Sequence, residues 1–203
     1  LLDHSHKQLI CRDVHSGEIR WKRSFQRRGQ MGELGHVVFN SYPLPQAISL
    51  LGGRTLWKQN LGQVDLRTGG NRISVGSGMV VVQGSASTGT HAVYGLDAVT
   101  GQVQWRRQIL QQRRPHLLVL GGYVFDLSHG GYRGPSMTAR VYDVHSGDLI
   151  TTKFPRPQGR QFWTLNGHVA QEGEKYVLRT LPHGDKAWEL PLAGGNQTYI
   201  RPV

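Results

Sequence analysis

Apolar and polar residues alternate along this chain in short runs, each ended by glycine or by a small polar cluster. Between residues 73 and 105 the pattern predicts four strands. Ile73-Ser74-Val75 is the first, and Gly76-Ser77-Gly78 turns the chain. Met79 to Gln83 is the second, apolar enough to be buried on both faces. Ser85 to Thr90 reads as a polar loop, and Ala92-Val93-Tyr94-Gly95-Leu96 is the third strand. Asp97-Ala98-Val99-Thr100-Gly101 turns again into Gln102-Val103-Gln104-Trp105, which alternates as a half-exposed edge strand does. No segment has the 3.6-residue period of a helix.

The same four-strand order, A to D, recurs. Leu117 to Leu120, Tyr123 to Leu127, Ala139 to Tyr142 and Leu149 to Thr152 form one set. Phe162 to Leu165, His168 to Gln171, Tyr176 to Arg179 and Ala187 to Leu190 form another. A weaker copy has a poorly marked A strand before Gly35, then Val37 to Asn40, Ala47 to Leu50 and Thr55 to Lys58. The first copy starts late, with Leu1-Leu2 as B, Leu9 to Arg12 as C and Ile19 to Lys22 as D. The repeats therefore run over about 1–25, 26–61, 62–109, 110–154 and 155–192. The strand-like Thr198-Tyr199-Ile200-Arg201, within 193–203, is left to supply the missing A strand of the first repeat.

Each C-to-D turn carries a glycine, at 17, 53, 101, 147 and 184, and four of these have a tryptophan four residues on. Asp13-x-x-Ser16-Gly17-x-x-x-Trp21 and Asp97-x-x-Thr100-Gly101-x-x-x-Trp105 are the full copies. Asp143-x-x-Ser146-Gly147 has Thr151 in the tryptophan position, while Gly53-x-x-x-Trp57 and Gly184-x-x-x-Trp188 lack the aspartate. The chemistry of such a turn is structural. The carboxylate accepts backbone N–H groups, and glycine adopts positive φ without steric cost. The tryptophan is expected to point from strand D onto the neighbouring sheet, its indole N–H seeking an acceptor. Asp13, Gly17, Trp21, Gly53, Trp57, Asp97, Gly101, Trp105, Asp143, Gly147, Gly184 and Trp188 are thus read as packing residues.

An isolated four-stranded sheet leaves two apolar faces and two unpaired edges, and radial packing of several sheets covers the faces. The expected fold is all-β, one domain over 1–203: a β-propeller of five four-stranded antiparallel blades, closed by pairing the N- and C-terminal strands. An arc of blades cut from a larger ring is the second architecture. Without an initiator Met or leader, the chain reads as a mature or excised domain.

Composition bears on partners. The net charge is +11, from 24 Lys and Arg against 13 Asp and Glu, which favours acidic partners or a solvated charged rim. Arg23, Arg27 and Arg28, Arg106, Arg107, Arg113 and Arg114, and Arg156 and Arg160 follow strand D of three repeats. The D-to-A connections of a propeller open on one face, so these nine residues form a candidate basic face opposite the glycine turns. Cys11 stands alone in an apolar strand, which excludes an internal disulfide and a cysteine metal cluster. No apolar run reaches the roughly 20 residues of a membrane-spanning helix.

A search for chemistry finds little. His4 and His6 share one face of a strand without an evident third ligand. His15, His145 and His183 fill one turn slot in three repeats. Gly76-x-Gly78 opens no helix, and no nucleophile elbow or carboxylate pair stands out. No catalytic, cofactor or metal residue is assigned.

The turns resemble the quinoprotein-type (PQQ-like) repeat, close to Leu-Asp-Ala-x-Thr-Gly-x-x-x-Trp. Residues 94–105 match it almost letter for letter, residues 10–21 and 140–151 less fully, and the degenerate copies extend the resemblance over nearly the whole chain. That repeat occurs in quinone-dependent dehydrogenases, in outer-membrane-assembly scaffold lipoproteins and in sensor domains of bacterial kinases, so it implies fold more than activity. The dehydrogenases have larger, eight-bladed rings and hold their cofactor beside a vicinal cysteine pair, which a chain with one cysteine lacks. The resemblance favours a monomeric, noncatalytic bacterial scaffold or sensor, periplasmic or extracellular, that binds a protein partner. An arginine-rich module for acidic polymers or nucleic acid is the alternative, and a PQQ-dependent oxidoreductase ranks below both.

Overall fold

In the computed structural model, the residues described are 2–5, 8–25, 31–35, 37–41, 44–61, 64–65, 73–86, 91–109, 117–127, 138–155, 161–164 and 167–191. They fold into strands joined by turns and contain no helix.

Five antiparallel sheets follow the chain. The first joins β1 (Leu2–Ser5), β2 (Gln8–Arg12) and β3 (Ile19–Ser24). The second joins β4 (Met31–Leu34), β5 (Val37–Asn40), β6 (Gln46–Ser49) and β7 (Thr55–Lys58). The third contains β8 (Val64–Asp65), β9 (Ile73–Gly76), β10 (Met79–Ala86), β11 (His91–Asp97) and β12 (Val103–Ile109). The fourth is β13 (Leu117–Leu120), β14 (Tyr123–Asp126), β15 (Thr138–Asp143) and β16 (Leu149–Pro155). The fifth is β17 (Gln161–Thr164), β18 (Gly167–Glu172), β19 (Lys175–Thr180) and β20 (Lys186–Pro191). The order within each of the last two sheets, and within the second, is the A-to-D meander expected from the sequence.

The first sheet has three strands among the described residues. The segment 198–201, expected to complete it, lies outside them. The third sheet adds a strand that the alternation does not show. Strand β9 pairs with Met79 to Val82, and β8 pairs with Ser85 and Ala86 further along the same edge of β10. Ser85 and Ala86, read from sequence as the start of a polar loop, belong to the strand.

Strand β10 explains how the sheets stack. Val80 and Val82 face one neighbour, clustering with Phe39 and Ala47 of the second sheet. Met79 and Val81 face the other, clustering with Leu117, Val119 and Val124 of the fourth. Both faces are buried, as the run of apolar residues predicts. Each buried side chain of this kind contributes roughly 1.5–3 kcal/mol relative to exposure. Between the fourth and fifth sheets the core is aromatic. Phe154 meets Phe125 edge-on at 5.2 Å and stacks on Trp163 at 5.7 Å, beside the fully buried His168.

Near the inner edge the sheets approach closely. A Cβ added to Gly32 of β4 would lie 2.6 Å from Val75 of β9, and one added to Gly76 of β9 would lie 2.9 Å from Val119 of β13. Glycine at these two positions lets the innermost strands of successive sheets touch.

Candidate interaction face

The five C-to-D turns share one backbone frame. In each, the glycine N–H donates to the carbonyl of the residue four earlier: Gly17 to Asp13 at 3.1 Å, Gly53 to Ser49 at 2.8 Å, Gly101 to Asp97 and Gly147 to Asp143 at 2.9 Å, Gly184 to Thr180 at 2.8 Å. All five glycines have φ between +67° and +81°. The aspartates reinforce the frame. Asp13 Oδ1 accepts the N–H groups of His15 and Ser16, Asp97 those of Val99 and Thr100 with the Thr100 hydroxyl, and Asp143 those of His145 and Ser146. The Ser16 amide, then the His15 amide and the Arg20 guanidinium, hold the Asp13 carboxyl down at about 2. The Thr100 amide leads the lowering at Asp97, and the Ser146 amide that at Asp143. These carboxylates are ionised at neutral pH and committed to their own turns.

Three tryptophans make the contact expected of them. Trp21 Nε1 donates to Leu50 O at 2.7 Å, Trp57 Nε1 to Ala98 O at 3.0 Å and Trp105 Nε1 to Val144 O at 2.7 Å. Each acceptor is the residue three before the turn glycine of the next sheet. The rings abut those glycines so closely that an added Cβ at Gly53, Gly101 or Gly147 would lie 2.5–2.7 Å from a ring carbon.

Register shows why the rings fit. Across from them on strand C stand Cys11, Ala47 and Gly95, all small. Cys11, a buried free thiol, is thus the small residue beneath Trp21.

The fourth sheet solves the same problem differently. Its aromatic group is Phe154, three residues beyond Thr151, and it stands across from another small residue, Ala139. Phe154 and Pro155 occupy the seat over Gly184. The fifth sheet departs again. Trp188 pairs across to Leu178 and remains 43% exposed, so the packing expected of it on a neighbouring sheet is not made.

Arginines flank two of the seats. Arg23 Nη1 donates to Gly53 O and Thr55 Oγ1, both at 2.9 Å. Arg107 Nε donates to Gly147 O at 2.9 Å, and its Nη2 pairs with Asp148. Arg106 sits over the Tyr94 ring, 5.7 Å from its centroid. The three described arginines of the candidate basic face therefore reach sideways to strands and turns. Arg27, Arg28, Arg113, Arg114, Arg156 and Arg160 lie outside the described residues.

Antiparallel order places the A-to-B and C-to-D turns at one end of each sheet. Hydrogen bonds tie them: Ala98 N–H to Gly78 O at 2.9 Å, Val144 N–H to Gly122 O at 3.0 Å, and Gly122 N–H to Ser77 Oγ of the preceding sheet at 3.1 Å. At that end the turn tips expose apolar side chains, Val14 at 74%, Leu51 at 72% and Val99 at 82%. Leu51 and Val99 hold the same turn position in adjacent sheets. Among the described residues no group of three His, Cys, Asp or Glu gathers as a metal set, and no helix is long and apolar enough to cross a membrane. Sequence reading did not single out Leu51 and Val99 because single exposed apolar residues are common; only their shared turn position relates them.

Solved structures share the fold. BamB from Moraxella catarrhalis is 16% identical, with a TM-score of 0.53 over 91% of this chain and 58% of that one. The computationally designed Ika8 protein is 14% identical, with a TM-score of 0.58 over 93% and 60%. A protein of unknown function from Bacteroides caccae is 11% identical, with a TM-score of 0.52 over 92% and 70%. The chain spans less than two thirds of the length of the first two. No curated protein matches the sequence. The family model described as outer membrane protein assembly factor BamB, a PQQ-like repeat, matches residues 45–200. With well over half of its length covered by that model, and with blades built on the repeated Asp-x-x-Ser/Thr-Gly turn, this chain belongs to the BamB-like family of PQQ-repeat β-propellers.

Proposed function

We propose that the chain is a noncatalytic propeller module that binds a protein partner through the end of the blades bearing the glycine turns. The observation that carries this reading is the pairing of Leu51 and Val99, 72% and 82% exposed, at equivalent tips of adjacent sheets. Large apolar side chains held outward on rigid turns suit a contact with another protein. Asp97 beneath Val99 is committed to shaping its turn, and the Leu51 turn carries no aspartate, which fits a binding surface better than an acid–base site. The matched family is described as an assembly factor, and assembly proceeds by protein contact.

The test is affinity capture from a cell-envelope fraction, run in parallel with wild type and a Leu51→Asp/Val99→Asp variant. Both side chains are exposed, so the variant should fold. A partner recovered with wild type and lost with the variant supports the reading. Equal recovery with both removes this face from the function.

The net charge of +11 favours a second reading, an arginine-rich module for acidic polymers. Its signature is retention on heparin that falls steeply as salt rises, because each neutralised phosphate or sulfate releases a counterion. Absence of retention at low salt would contradict it.

A further inference from the structure

One level of strand D carries a cation on three successive sheets. It is the position five residues past the turn glycine and one past the seated tryptophan, held by Lys22 on β3, Lys58 on β7 and Arg106 on β12. All three side chains are exposed. Across from them on strand C stand Ile10, Gln46 and Tyr94, none of them acidic. On the fourth and fifth sheets the same position holds Thr152 and Glu189, so the band covers the first three sheets and stops.

The other cations of these strands are engaged. Strands β3, β7 and β12 together hold six cationic residues and no acidic one. Arg20 pairs with Asp13, Arg23 donates to Gly53 O and Thr55 Oγ1, and Arg107 donates to Gly147 O and pairs with Asp148. The Lys22 and Lys58 ammonium groups make no hydrogen bond or ion pair among the described residues. Arg106 lies over the Tyr94 ring, a contact that leaves its charge unneutralised. On the fifth sheet, by contrast, Lys175 and Lys186 both pair with Glu189.

We propose that Lys22, Lys58 and Arg106 form a binding surface for a linear acidic polysaccharide, laid across the outer strands of the first three sheets. Its carboxylates or sulfates meet the three cations. The assignment rests on the acidic-polymer reading above and places it on strand D. Charge complementarity argues for the occupant. Three unneutralised cations at one level of sheets packed side by side match an acidic group repeated along a chain. The aromatic rings of these strands, Trp21, Trp57 and Trp105, turn onto the following sheet, and Tyr94 is buried. They offer a nucleic-acid base nothing to stack on, which sets polysaccharide above single-stranded nucleic acid.

The test is binding of the purified chain to heparin, measured between about 50 and 200 mM salt. Two triple variants accompany wild type. One is Lys22→Gln/Lys58→Gln/Arg106→Gln, and the other, with the same net charge, is Arg54→Gln/Lys153→Gln/Lys186→Gln. All six side chains are exposed, and circular dichroism checks folding. A Lys22→Gln/Lys58→Gln variant spares the Arg106 contact with Tyr94 and serves if the first triple variant fails to fold. Each neutralised anionic group contributes roughly 0.7–0.9 to the slope of log affinity against log salt. The band variant should therefore lose about two to three from that slope, and the control less than about one. No binding by wild type at low salt removes the acidic-polymer reading and the band with it. Binding by wild type with equal slopes in the two triple variants leaves that reading standing and overturns the band. Tighter binding to single-stranded DNA than to heparin in the same buffer overturns the assignment to polysaccharide.

Discussion

Trp105 donates its indole N–H to the carbonyl of Val144, 2.7 Å away on the following sheet. The ring lies between two glycines, Gly95 across the hairpin of its own sheet and Gly147 on the next, and is 8% exposed. One side chain thus joins two sheets through area, shape and a hydrogen bond.

Shape is tested at the glycines. Gly147→Ala adds a Cβ at φ +71° and 2.6 Å from the Trp105 ring; Gly17→Ala adds one at φ +74° into open space. Positive φ alone costs about 1–3 kcal/mol at either position. Overpacking against the ring adds about 1–3 kcal/mol at Gly147 only. Denaturant unfolding should therefore show Gly147→Ala as the more damaging substitution, and equal losses would contradict the close contact.

The hydrogen bond is tested by Trp105→Phe. The smaller ring keeps much of the buried area but leaves the Val144 carbonyl without its donor. Loss of that bond should cost about 1–3 kcal/mol beyond the lost area. A variant as stable as wild type would show that the indole N–H contributes nothing.

Acid should weaken the fourth and fifth sheets first. Burial, and then the nearby Arg179 charge, push His168 down from 6.5 to about 4. The folded value lies below the unfolded one, so the neutral imidazole's contribution is complete above pH 6.5 and is lost as pH falls through about 4. The full swing is on the order of 3 kcal/mol. Unfolding free energy measured between pH 7 and pH 4 should fall accordingly, and His168→Leu should flatten that stretch. An unchanged slope in the variant would assign the loss to other groups. Below the ordinary carboxylate value of 3.8, protonation of Asp97 and Asp143 should remove further stability, because their folded values are also lowered.

The turns and strands were legible because their causes are local. An aspartate that bonds amides two and three residues on, and a glycine at positive φ, leave their pattern within five residues of chain. The seats of Trp21, Trp57 and Trp105 were legible for the same reason, since ring and turn recur at fixed spacing. Phe154 was not, because its place is set by Ala139 across the hairpin, and a shift of three residues breaks the spacing without breaking the contact. A small residue across from each seated aromatic is the missed signal. The short β8 depends on the edge that β10 offers and carries no pattern of its own. Trp188 looks like its counterparts in the turn spacing, and Leu178 across the hairpin, where the seated rings have a small residue, sets it apart. The arginines of the candidate basic face illustrate a further limit. Sequence places them after strand D, but Arg23 and Arg107 find acceptors on the neighbouring sheet.

That a seated aromatic ring holds successive blades together is tested most directly by comparing the unfolding free energies of Trp105→Ala and Trp188→Ala at low protein concentration. The first should lose about 3–5 kcal/mol, as for a buried aromatic residue, and the second less than about 1 kcal/mol, as for an exposed one. Similar losses from the two substitutions would contradict it.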